Sequence, residues 1–153
     1  MAITASGYYG LTLEKQFKKT QTGDMESTSV YVMLMLDAYT HNYDTHDFVA
    51  DLSANEVAAG SGYTAGGKAL AATPSWTVGA PAAGQIAYDS ADPAWATSTI
   101  TNAMAAVLYH TTGSSATDEL YMLSDFGTAV STANGTLTVQ IDANGWVYFD
   151  YTA

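Results

Sequence analysis

The chain has 153 residues, enough for one ordinary domain with a real core, and carries 15 acidic residues against four Lys and no Arg, a net charge of −11. That balance excludes direct nucleic-acid binding, which needs several phosphate-neutralising cations on one surface, and the lack of cysteine excludes disulfides, zinc–thiolate sites and thiol nucleophiles. Charged residues are only 12% and hydrophobic ones 48%, which excludes disorder and leaves a Thr-, Ser-, Asn- and Tyr-rich surface that a partner can bury without stranding many charges.

Residues 1–10 contain two glycines flanking Tyr8 and Tyr9 and no periodicity. They read as an arm that orders on a partner, ahead of a single β-rich domain over residues 11–153. This opening has neither a basic n-region nor an apolar h-region, so a chain made in a cytoplasm is expected. In residues 11–19, Leu13 and Phe17 share an i,i+4 face and Lys18 and Lys19 fall where a helix C-terminus favours cations, which predicts a short amphipathic helix with Thr12 as N-cap. Charge divides here: residues 1–20 hold one Glu and three Lys, net +2, leaving −13 for the rest.

Residues 29–39 give the clearest strand. Val30, Val32, Leu34 and Leu36 point one way and Tyr31, Met33 and Met35 the other; two apolar faces mark a strand covered on both sides. A loop follows, then a short helix through Phe48, Val49 and Leu52, capped by Asp44 or Thr45. The Gly/Ala-rich residues 58–73 read as a flexible or partner-contacting loop. Trp76 with Val78, Ile86 with Tyr88, and residues 99–109 read as strands separated by turns at Pro74, Pro81, Gly84 and Pro93. The end reads as a meander: residues 119–124, 136–142 and 146–151, the last two joined as a hairpin by Asp142-Ala143-Asn144-Gly145. The expected fold is mainly β, an antiparallel β-sandwich or partly rolled barrel with one or two short helices. The longest apolar runs fall far short of the roughly 20 residues a membrane helix needs.

The chemistry-bearing clusters favour plain readings. His41, Asp44, His46 and Asp47 lie within seven residues, but the two His are not an i,i+4 zincin pair and the acids lack the EF-hand order; a solvated loop fits better. The glycines of residues 60–67 precede no helix and no P-loop Lys-Ser/Thr pair, which argues against a phosphate cradle. Trp76, Trp95 and Trp146 sit at strand positions, where aromatics serve core or interface. No metal, no cofactor and no catalytic residue is expected.

Three stretches, VYVMLMLDAYTHNYDTHDFVADLSANEV (residues 30–57), GSGYTAGGKAL (60–70) and DPAWATSTITNAMAAVLYHTT (92–112), together resemble a family of small virion proteins from the head and tail structural genes of tailed bacteriophages. The GYTAGG run at residues 62–67 is the most specific part, and the final residues 134–149 are similar to the family's closing segment. The resemblance implies a non-enzymatic virion protein made in the bacterial host. First among its roles is a capsid decoration (cement) protein on the major capsid protein lattice; a tail or head–tail junction component and a receptor-binding lectin-like domain are the alternatives. A homo-oligomer is expected, a trimer first, with no nucleic-acid or membrane partner. Tyr8, Tyr9, Lys15, Lys18, Lys19 and Tyr63 are the residues expected to face other virion subunits.

Overall fold

A computed structural model describes residues 6–152 of the chain. It is mainly β, built of several antiparallel sheets in a sandwich-like arrangement without a closed barrel. In chain order come β1 (Gly7–Tyr8), α1 (Gly10–Lys18), β2 (Val30–Leu36), a 3-10 helix (Val49–Asn55), β3 (Lys68–Ala69), β4 (Ser75–Val78), β5 (Gln85–Asp89), β6 (Ala94–Ser98), β7 (Ala103–His110), β8 (Leu120–Val130), β9 (Gly135–Thr138) and β10 (Val147–Asp150). The main sheet has the order β1-β8-β7-β2-β3; β10-β5-β4 and β6-β9 form two smaller sheets.

Strand β2 follows its sequence pattern. Val30, Val32 and Leu34 enter one core cluster with Ala106, Leu108 and Met122 of the neighbouring strands and with Tyr88, Trp95 and Leu137 of the smaller sheets. Met33 and Met35 enter the second, with Val107, Leu123, Tyr9, Tyr39 and Leu52. One face of the main sheet is thus covered by the two smaller sheets. The other is covered by the residue preceding α1, the loop after β2 and the 3-10 helix. Tyr109 pairs with Leu120 and Leu108 with Met122, which leaves Tyr121 unpaired in a bulge. Tyr121 and Met122 therefore both turn toward the first cluster, out of strict alternation.

Four sequence expectations are corrected. Residues 7–10 are part of the domain rather than an arm: Gly7 and Tyr8 pair with Leu123 and Met122, and Tyr9 is fully buried. Residues 1–5 of that expected arm lie outside the described residues. The α1 N-cap is Tyr9, without a side-chain cap, because Thr12 faces inward and donates its hydroxyl hydrogen to the Leu120 carbonyl. The 3-10 helix begins after Phe48, and its capping carboxylate is Asp51, which accepts from the Asp47 and Phe48 amides at 2.9 Å each. The expected C-terminal hairpin does not form: β9 pairs with β6, and β10 with β5. The turn itself is present, closed by Gly145 N–H to Asp142 O at 2.8 Å. It delivers the chain to a different sheet, because Trp146 N–H donates to Tyr88 O at 2.8 Å. A Cβ on Gly145 would lie 2.5 Å from that same carbonyl oxygen.

Candidate docking surface

Helix α1 is held by its inner face. Thr12 is anchored to Leu120, Lys15 is ion-paired inward, and Gln16 Nε2 donates to Met25 Sδ at 2.6 Å. At 3.6 residues per turn this leaves Leu13 and Phe17 on one flank, with Glu14 and Lys18 facing solvent. Opposite that flank lies the three-stranded sheet. Its registers place Trp76 beside Tyr88 and Val147 in one row, and Val78 beside Ile86 and Phe149 in the next. Side chains of these rows share one face of the sheet, since neighbours in register point the same way.

The first row packs into the core; Tyr88 is fully buried. The second overhangs it. Between the overhang and the helix runs an open groove of about 550 Å³, lined by Leu13, Gln16, Phe17, Trp76, Ile86 and Phe149. Trp76 stacks on Phe149 at 5.8 Å, with Tyr88 at 5.0 Å from the indole and Tyr8 edge-on to Phe149 at 6.3 Å. This aromatic row fixes the floor. Of the lining residues Phe17 is 80% exposed; Val78, paired with the lining Ile86, is 70% exposed. No lining residue is titratable, and Gln16 is the one polar side chain among them.

The tyrosines expected to anchor a partner are instead structural. Tyr9 is fully buried, its hydroxyl 3.0 Å from that of Tyr39, which lies 2.8 Å from His46 Nδ1. Burial raises both phenols, Tyr39 to about 12, so they stay neutral. Tyr8 is half-buried with its hydroxyl on Met25 Sδ at 3.1 Å. Tyr63 is buried; its hydroxyl donates to Glu56 Oε1 at 2.8 Å and accepts from the Leu34 amide at 2.9 Å.

The lysines separate as well. Lys15 Nζ sits 2.7 Å from both Asp47 carboxylate oxygens, 3.2 Å from Glu119 Oε1 and 4.5 Å from the centre of the Phe48 ring. Burial alone would lower its pKa, but the hydrogen bonds and charges of Asp47 and Glu119 outweigh that and raise it. Lys18 pairs with Glu14 on the exposed face. Lys19 takes the left-handed C-cap conformation, φ 56°, and its exposed ammonium makes no ion pair among the described residues. The three do not fan over one surface: Lys15 is paired inward, and only Lys18 and Lys19 are exposed, directly after Phe17 in the chain.

Other clusters are also accounted for by the fold. His46, Asp47 and Asp51 serve Tyr39, Lys15 and the 3-10 helix start, and His41 lies tilted against Tyr43 with ring centres 4.7 Å apart. Among the described residues no three His, Asp or Glu side chains are arranged to hold a metal ion. The glycine-rich segment is packed over residues 66–70 and exposed over residues 58–62: Gly66 N–H donates to Glu56 at 2.6 Å, and Gly67 lies directly against β2.

The sequence does not single out Phe17, Val78, Ile86 and Phe149. Phe17 reads only as one of an i,i+4 apolar pair with Leu13, and the structure leaves it 80% exposed at the edge of the groove. No family model matches the chain, and neither the curated proteins nor the solved structures give a match.

Proposed function

We propose that the chain is a non-enzymatic structural subunit of a tailed-phage particle, acting as a capsid decoration protein on the major capsid protein lattice. The observation that carries this reading is the solvent-open apolar groove between α1 and the three-stranded sheet. A reacting small molecule needs convergent polar or titratable groups, and this groove offers a single amide. An apolar strip that leaves a Phe exposed suits a protein surface instead. No charged side chain lines the groove, which keeps the desolvation cost of such a contact small, and Lys18 and Lys19 add attraction for acidic neighbours. Repetition over a lattice then turns a modest contact into firm attachment, through effective concentration.

Cryo-EM of the intact particle of a phage encoding this chain tests the reading. On the order of hundreds of copies repeating over the head lattice are expected. About six or twelve copies at a ring would move the protein to the tail or the head–tail junction. Particles lacking the chain altogether would overturn the proposal.

A further inference from the structure

We propose that Lys15 and Asp47 join in an isopeptide bond, made by the folded chain itself with Glu119 as the base. The ion pair described above is the state from which that bond forms.

Reach is the first support. Lys15 Nζ lies 2.7 Å from both Asp47 carboxylate oxygens. A nitrogen at that distance from both oxygens stands within about 3 Å of the carbon between them, the separation of a near-attack pair. The backbone holds it there. Thr12 ties α1 to the Leu120 carbonyl, the Leu120 amide donates to Asp47 O at 2.9 Å, and Phe48 bridges to Glu119. Lysine, aspartate and glutamate are thus all fixed to the start of β8 before any bond is made.

The second support is that the two carboxylates are held differently. Glu119 is 2% exposed; its Oε2 accepts from the Gly23 amide at 2.8 Å and the Thr22 amide at 3.2 Å, and its Oε1 faces Lys15 Nζ at 3.2 Å. The amide donors favour its anion, which suits a base that takes a proton from the lysine. Asp47 accepts from Lys15 alone among the described residues. No backbone donor fixes its charge, so it is the carboxylate free to take up protons and lose an oxygen. The Phe48 ring covers Nζ at 4.5 Å and restricts water on that side.

Asp47 and Glu119 keep Lys15 an ammonium at rest. The reactive amine is therefore a minor form, and linkage is slow but cumulative. Glu119 takes a proton from Nζ, the free amine attacks Asp47 Cγ, and the Nζ–Cγ bond forms as one Cγ–Oδ bond breaks. One ammonium proton stays on the amide nitrogen. The other two leave with the departing oxygen as water, the first of them returned through Glu119. The two charges cancel and no co-reactant is needed. Amide formation between separate molecules in water is unfavourable, but effective molarities of about 10⁵–10⁸ M offset that within one fold. The bond closes a loop over a sequence separation of 32 residues and ties α1, one wall of the groove, to the body. It restricts the unfolded chain as a disulfide would, in a sequence that has no cysteine.

Intact-mass spectrometry of the purified full chain, after prolonged incubation in the folded state, is the test. The wild type is expected to be lighter than its sequence by one water, with fragment spectra joining residue 15 to residue 47. Lys15→Arg should keep its full mass. Asp47→Asn should still link, now losing ammonia in place of water. Glu119→Gln should leave the linked fraction at least about tenfold lower, with cooperative urea melts showing that the variant is folded. A wild type at full mass overturns the inference, and so does a water loss that persists in Lys15→Arg. Linkage at the wild-type level in Glu119→Gln overturns the role of Glu119 as the base.

Discussion

Lys15 and Asp47 meet across the gap between α1 and the loop before the 3-10 helix, with Nζ 2.7 Å from both carboxylate oxygens. Behind them Glu119, 2% exposed, accepts from Lys15 and from the Thr22 and Gly23 amides, the last at 2.8 Å. One ammonium thus compensates two carboxylates, one of them buried. Lys15→Met keeps the aliphatic packing but leaves Glu119 without a counter-charge, and is expected to cost about 2–4 kcal/mol. Lys18→Met removes only an exposed i,i+4 pair and should stay within about 0.5 kcal/mol. Urea denaturation of both variants measures the difference. Equal small losses would mean that backbone amides alone satisfy Glu119.

His46 gives the fold a pH dependence with a definite sign. Burial lowers its pKa from the ordinary value of 6.5 and the neighbouring His41 adds to that, while Asp51 opposes both. The folded chain then binds this proton less readily than the unfolded chain. Its contribution is complete above the unfolded value and is lost as pH falls from there through the folded one. Thermal melts between about pH 7.5 and 5.5 should therefore show wild type losing stability on acidification. His46→Gln, whose amide oxygen can still accept from Tyr39, should show a flatter profile over the same window. Parallel profiles would assign the slope to other groups.

Much of the fold was legible because its signals are local. The two-sided apolar pattern of β2, the i,i+4 pair of α1 and the strand alternation around Trp76 and Ile86 each need only a few neighbouring residues. Pairing partners are not local. Leu137 and Phe149 alternate with polar residues on either side of an Asp142–Gly145 turn, and that pattern is the same whether the two strands join each other or go to β6 and β5. The groove residues were hidden for a related reason. Tyr9 and Phe17 are both aromatic, in or beside one helix, and only tertiary packing decides which is core and which is rim: Tyr9 lies against the main sheet with Met33, Met35 and Tyr39, whereas Phe17 faces the open groove. Tyr63 illustrates the converse: a tyrosine in a glycine-rich stretch suggests a contact loop, but Glu56 and the Leu34 amide hold its hydroxyl inside.

Gly67 marks where the glycine-rich segment passes over β2. Its φ is +71°, and an added Cβ would fall 1.9 Å from Val32 O, a backbone atom that cannot move aside. Gly67→Ala is expected to cost at least about 2–4 kcal/mol, or to prevent folding. Gly79 offers the control, with φ +80° and open space around its Cβ position. Gly79→Ala should cost only the left-handed backbone penalty of about 1–2 kcal/mol. Chemical denaturation of the two proteins separates steric from conformational effects, and indistinguishable costs would refute the close approach.

Tyr9 and Phe17 allow core and surface to be told apart within one short segment. Tyr9 is fully buried against Met33, Met35 and Tyr39, and its backbone amide donates to Tyr121 O at 3.0 Å. Truncating a buried aromatic leaves a cavity and strands polar partners, so Tyr9→Ala should lose about 3–5 kcal/mol. Tyr9→Phe keeps the packing and removes one hydrogen bond to the Tyr39 hydroxyl, which should cost about 1 kcal/mol. Phe17→Ala removes a side chain that meets mostly solvent, and should change stability by less than about 0.5 kcal/mol. If the groove docks on the capsid as proposed, binding of Phe17→Ala to particles stripped of the protein should weaken clearly although the fold is intact. Urea melts and particle-binding titrations on the same three variants read the two properties independently. A Phe17→Ala protein that melts early would place Phe17 in the core, and one that binds particles as wild type does would remove the groove from the docking surface.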